Sequence, residues 1–145
     1  MATNSPAPAQ GAKPANSESV VGISLMASLT VNDLQKSLAW YRDVVGFTVD
    51  REHERDGTLQ AVSLQAGDVR IVIGRDDGAK GFNRKKGEAI SLMITTKQNV
   101  DALAATIKAR GGILESEPTD MPWGARVFRM KDPDGFIWAI STERP

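Results

Sequence analysis

The chain has 145 residues, 41% of them apolar, with 18 basic and 18 acidic side chains and no cysteine. That length suits one domain with a real core, and the balanced charge leaves no basic excess for a nucleic acid to read. Without cysteine there can be no disulfide, thiolate metal site or cysteine nucleophile; no apolar run approaches a membrane span and no signal peptide is evident, which fits a cytoplasmic protein.

Residues 1–19, MATNSPAPAQGAKPANSES, are rich in Ala, Pro, Ser, Asn and Gln. Such a segment cannot bury enough surface to offset its conformational entropy, and it reads as a disordered tail before a domain at 20–145. Residues 22–31, GISLMASLTV, alternate. That period predicts a strand with Leu25, Leu29 and Val31 toward a helix and Ser24, Met26, Ser28 and Thr30 on the other face. Asn32-Asp33 is a good N-cap, and Leu34, Leu38, Tyr41 and Val45 then form one helical stripe that Gly46 stops. Strands follow at 47–52, 59–65 and 69–74, with a turn at 53–58 and another at Ala66-Gly67-Asp68.

Residues 75–88, RDDGAKGFNRKKGE, are charged and Gly-rich and read as a linker. The same order then returns. A strand at 89–96 turns Leu92 and Ile94 toward a helix at 100–110, which carries Val100, Leu103 and Ile107 on its stripe and ends at Gly111-Gly112. A strand at 113–117, a loop at 118–124 and strands at 125–131 and 136–141 complete it, the last two joined by Asp132-Pro133-Asp134-Gly135. Ile23-Ser24-Leu25-Met26 recurs as Ile90-Ser91-Leu92-Met93 at an offset of 67, and the same offset relates Ile71-Val72-Ile73 to Trp138-Ala139-Ile140. The reading is an α+β fold of two tandem βαβββ modules, about 22–74 and 89–142, with one helix per module on the outside of a curved mixed sheet. The faces away from the helices are expected to form an open cleft, a natural small-molecule site.

TVNDLQKSLAWYRDVVGF resembles the first-helix signature of the vicinal oxygen chelate superfamily, which includes glyoxalase I, extradiol dioxygenases, fosfomycin-modifying enzymes and bleomycin-binding resistance proteins. MPWGARVFRMKDPDGFIWAIST is similar to its C-terminal hairpin. Metal-dependent members hold their ion with His, Gln or Glu from the first and last strand of each module. The resemblance carries those places onto Met26, seven residues before Asp33; onto Val72; onto Ser91 or Met93; and onto Ala139, four residues past Gly135. Met, Val, Ser and Ala do not make a site for Zn, Ni, Mn or Fe(II). The expectation is therefore no metal and no cofactor, and the metal-assisted chemistries of the family are not carried over.

Other residues could work in the cleft. Arg126 could clamp a carboxylate or phosphate, or be a salt-bridged edge residue. Trp123 could stack on a planar ligand or cover the core edge. Phe82 could act as an aromatic lid from the linker. Ser28, Ser91 and Thr95 offer hydroxyls. His53, between Glu52 and Glu54 in or beside the turn at 53–58, reads as a surface residue that could touch a ligand. Trp138, on the face of Phe136 and Ile140, reads as core.

The leading function is a metal-independent protein binding an antibiotic or planar metabolite. The resemblance to bleomycin-binding proteins implies a homodimer with clefts at or near the interface, and neither nucleic acid nor membrane is expected as a partner. One alternative is a lyase, transferase or dioxygenase-type enzyme of the same superfamily, working metal-free through Arg126 or His53 or holding metal through atypical ligands such as Glu88 and His53. The other is an interaction module with a vestigial cleft.

Overall fold

The computed structural model describes residues 18–145. Of the expected tail, residues 1–17 lie outside the described residues, and Glu18 and Ser19 are exposed. The elements run β1 (Ala27–Val31), α1 (Leu34–Ala39) with a π-helical continuation (Trp40–Val45), β2 (Thr48–Arg55), β3 (Thr58–Ala66), β4 (Val69–Arg75), β5 (Ser91–Thr96), α2 (Val100–Ala109), β6 (Leu114–Asp120), β7 (Arg126–Lys131) and β8 (Ile137–Thr142). They form two four-stranded mixed sheets, ordered β1-β4-β3-β2 and β5-β8-β7-β6. In each sheet the first strand runs parallel to the last and the remaining pairs are antiparallel. This is the duplicated βαβββ order expected from the sequence.

Both helices begin as their letters predict. The Asp33 carboxylate accepts the Lys36 N–H at 3.0 Å, and the Asn99 side chain accepts the Ala102 N–H at 3.0 Å. Each satisfies an amide that the helix leaves without a partner. The first helix widens before Gly46, which takes the left-handed conformation at φ 104°. Gly46 and Phe47 both donate to the Tyr41 carbonyl, at 3.0 and 2.8 Å.

The helix-bearing faces of the two sheets share one core. Leu29, Val31, Leu34, Leu38, Tyr41, Val62, Leu64, Ile71 and Ile73 from the first module join Val100, Ala104, Ile107, Phe128, Met130, Trp138 and Ile140 from the second. Trp138 is buried, as its strand parity predicts, and meets Tyr41 and Phe47 edge-on with ring centroids 5.9 and 6.0 Å apart.

Three boundaries differ from the expectation. The first strand starts at Ala27, not Gly22, and Ile23 and Leu25 are 100% and 98% exposed. β1 is an edge strand, and its ladder with its one neighbour, β4, starts at Ala27–Ile71, two residues after β4 itself begins at Val69. Leu25 therefore does not face the helix, whereas Leu29 and Val31 do. β2 continues through Arg55 and carries His53 inside the strand, not in a turn. β6 continues to Asp120 across residues expected to be a loop, accommodated by two shifts of register against β7.

The two joints between the modules differ in construction. At one, the five-residue turn Asp132–Phe136 docks on the start of α1: the Asp134 carboxylate accepts the Asn32 N–H at 3.1 Å and the Ser37 hydroxyl at 3.3 Å. Lys86 adds bonds to Asn32 at 2.7 Å and to Asp76 at 2.9 Å. Below this latch, Asp132 accepts the Tyr41 hydroxyl at 2.7 Å, and that hydroxyl accepts the Trp138 indole N–H at 3.0 Å. At the other joint the matching turn of module one is only Gly67-Asp68. A cavity of about 490 Å³ lies there, between that turn and the residues Ile94–Gln98, Leu103 and Ile107.

Candidate functional site

Because the helix-bearing faces are used in one core, the two remaining sheet faces lie outside it, the second with a small buried cluster of its own at Ala125, Val127 and Ala139. Within one chain the expected cleft takes the form of two separate outer faces.

On the first sheet, β1, β4, β3 and β2 align Ser28, Val72, Ser63 and Arg51 across one rung. His53 stands on the neighbouring rung, and its Nε2 lies 3.2 Å from the Ser63 hydroxyl. Met26 precedes β1 and is 53% exposed. On the second sheet the corresponding rung is Met93, Ala139, Arg129 and Ser116. Ser91 and Thr95 flank Met93 on the same edge strand and are exposed. Ala139 is buried among Ala125, Val127 and Met121. The face is thus recessed at Ala139, with an exposed Met93 on one side.

The register corrects the repeat. Val72 and Ala139 occupy matching places 67 residues apart, but their partners Ser28 and Met93 are 65 apart. The two ISLM segments are therefore two residues out of phase. The first precedes its strand in the open, and the second enters β5 at Ser91.

Arg126 does not face an empty site. Its Nε and one terminal nitrogen bind the Asp101 carboxylate at 2.8 and 3.0 Å, and its other terminal nitrogen binds Asp120 at 3.0 Å. These bonds hold Asp101 below the usual carboxylate range and push the guanidinium further up. Trp123 is 48% exposed in the loop between β6 and β7, next to Met121. Phe82 is 63% exposed and folds back on its own linker: a Cβ on Gly78 would lie 2.3 Å from its ring. Neither arrangement brings Phe82 and Trp123 to one point.

The residues that sequence reasoning missed are Ser63, Arg129 and Ser116. Ser63 alternates with Val62 and Leu64, so parity alone could have placed it on the outer face. Arg129 alternates in the same way with Phe128 and Met130. Ser116 could not be placed, because a bulge decides its partner.

Residues 23–140 match the model of the Glyoxalase/Bleomycin resistance protein/Dioxygenase superfamily. The chain belongs to that superfamily. It is 30% identical over 119 residues to a probable lactoylglutathione lyase of Vibrio cholerae serotype O1, covering 78% of this chain and 85% of that protein. Among solved structures it superposes on a superfamily member from Sphaerobacter thermophilus with a TM-score of 0.70 at 24% identity, covering 85% of this chain and 98% of that one. TioX from Micromonospora sp. ML1 gives a TM-score of 0.68 at 20% identity, covering 83% and 98% of the two chains.

The superfamily includes metal-dependent members, whose ion needs O or N donors. The strand pairs at the centres of the two outer faces are Ser28 with Val72 and Met93 with Ala139. A hydroxyl and a thioether are poor donors for a hard or borderline divalent ion, and Val and Ala offer none. Among the described residues no three His, Asp or Glu side chains gather to replace them. These residues do not fit the ion.

Proposed function

We propose that this protein is a metal-independent small-molecule binding protein, taking an antibiotic or planar metabolite on its outer sheet faces. One observation carries the reading: the places where metal-dependent relatives would put donors hold Met26, Val72, Ser91 or Met93, and Ala139 here, and the rungs through them pair Ser28 with Val72 and Met93 with Ala139. Exposed Met93 offers an adaptable apolar surface, and the Ser hydroxyls can orient a polar group. A bound ligand stabilises the fold by mass action. A thermal-shift screen of antibiotics and planar metabolites, run with EDTA and again with Ni, Zn or Mn, tests this. Stabilisation that persists in EDTA is expected. Stoichiometric metal on purification, or ligand binding only with an added ion, would overturn it.

An enzyme is the second reading, favoured by the identity to a probable lyase and by the His53–Ser63 contact. Turnover of a bound ligand that His53→Gln abolishes would decide for it.

We also propose that two chains pair so that one chain's first outer face meets the other's second. Val20, Val21, Ile23, Leu25 and Met26 precede the edge strand β1, and Ile90 and Met93 lie at the edge strand β5, all of them exposed. Exposed apolar side chains beside two open sheet edges form a surface that association covers. Light scattering should give a dimer that Leu25→Glu weakens; a wild-type monomer at working concentration would refute it.

A further inference from the structure

Three basic side chains among the described residues are partly withdrawn from solvent: Lys86, Arg126 and Arg129. Lys86 is held by Asp76, and Arg126 by Asp101 and Asp120. Lys131, two residues beyond Arg129, reaches Glu115 at 3.4 Å. Arg129 has no carboxylate or other hydrogen-bond partner among the described residues. A half-buried cation without a counterion gives up hydration for nothing in return.

A second, independent irregularity occupies the same rung. The Ser116 hydroxyl is the one buried side-chain polar atom without a partner among the described residues. Ser116 is the register partner of Arg129 across β6 and β7. Side chains directly opposite in an antiparallel pair share a face and stand about 4.5–5.5 Å apart at Cβ. A cation and a hydroxyl, neither with a side-chain partner among the described residues, thus stand opposite each other on one face.

We infer that Arg129 and Ser116 form an oxyanion subsite on the outer face of the second sheet, and that the ligand is a small organic anion, a carboxylate or phosphonate. The proposal rests on the small-molecule reading above and gives its ligand a charge. Arg129 offers two parallel N–H donors to such a group, and Ser116 adds a third. The ligand's apolar body then lies along the same rung, over Ala139 and against Met93, with Met121 beyond.

Thermal shift and calorimetric titration with benzoate, phenylphosphonate and uncharged benzamide test it, on the wild type and on Arg129→Met, Arg129→Lys and Ser116→Ala. Benzoate and phenylphosphonate should bind the wild type, and benzamide at least about tenfold more weakly, since bonds to a charged group are the strong ones. Arg129→Met should abolish the preference for the anions, Arg129→Lys should restore part of it, and Ser116→Ala should weaken it several-fold. Without ligand, Arg129→Met should unfold at the same urea concentration as the wild type or a higher one, because it removes an unanswered charge. A preference for anions that survives Arg129→Met, or equal binding of benzamide and benzoate, overturns the subsite and leaves the binding reading standing. No binding by any of the three probes overturns the subsite, and a loss of self-association in Arg129→Met would then assign the cation to a partner chain.

Discussion

Replacing Tyr41 by Phe removes one oxygen and tests how the two modules are held together. Tyr41 is wholly buried and Trp138 is 2% exposed. The Tyr41 hydroxyl donates to Asp132 at 2.7 Å and accepts the Trp138 indole N–H at 3.0 Å. Burial pushes the phenol far above its ordinary range, helped by the nearby Asp132 carboxylate, so it remains a donor at every accessible pH. Without it, the indole N–H and one carboxylate oxygen are left unanswered, each at a cost of about 1–3 kcal/mol. A loss of about 2–4 kcal/mol is therefore expected, a large part of the ~5–15 kcal/mol that stabilises a typical domain. Urea unfolding with linear extrapolation measures it. The loss also has a pH signature. Burial raises the Asp132 carboxyl above its ordinary 3.8, while the Tyr41 bond opposes that rise. A raised carboxyl contributes stability in its protonated form, present below the unfolded value and lost as pH rises through the folded one. Phe at position 41 removes the opposing bond and raises the carboxyl further. The destabilisation should thus be greatest near neutral pH and shrink as pH falls toward 3.8. A loss under about 0.5 kcal/mol, or one that does not vary with pH, would refute the idea that this hydroxyl ties the modules.

Two further outcomes follow from the latch around it. Lys86, the Gly78 amide and Arg84 hold the Asp76 carboxyl down at about 2. A depressed carboxyl contributes stability above its unfolded value and loses it as pH falls through the folded one, so Asp76→Asn should be less stable than the wild type at neutral pH, with the gap closing between 3.8 and about 2 in an acid titration of the unfolding midpoint. Gly87→Ala should destabilise by at least about 1–2 kcal/mol, because φ is +78° and a Cβ there would lie 2.4 Å from the Gly135 carbonyl oxygen; an unchanged urea midpoint would show that the linker is not docked on that turn.

The elements legible in the sequence are those set by local chemistry. Asp33 and Asn99 cap, Gly46 stops, and the stripes Leu34-Leu38-Tyr41 and Val100-Ile107 bury as their spacing demands. What misled was identity of letters. Ser91-Leu92-Met93 lies in a ladder and Ser24-Leu25-Met26 does not, because strand limits depend on which residues a neighbouring strand pairs with, which no local pattern contains. The site divides in the same way. Alternation puts Ser28, Val72, Met93 and Ala139 on outer faces, and the register pairs Ser28 with Val72 and Met93 with Ala139. Arg126 could be read either as a ligand clamp or as a salt-bridged edge residue, because Asp101, 25 residues away, is brought to it only by the fold. Arg129 looked ordinary for the opposite reason: that no carboxylate among the described residues answers it is a property of the surroundings, not of β7.

The unequal turns give the two halves of this duplication unequal mechanical standing. Five residues at one joint reach the opposite helix and bolt it with carboxylates, whereas two residues at the other fall short and leave a gap. Strain entering the molecule from either outer face is borne by the weaker joint, where fewer bonds must break for a local opening. Gly67-Asp68 is thus the loose end of a clasp whose other end is Asp132–Phe136. Duplication has supplied one chain with both a fixed side and a yielding one.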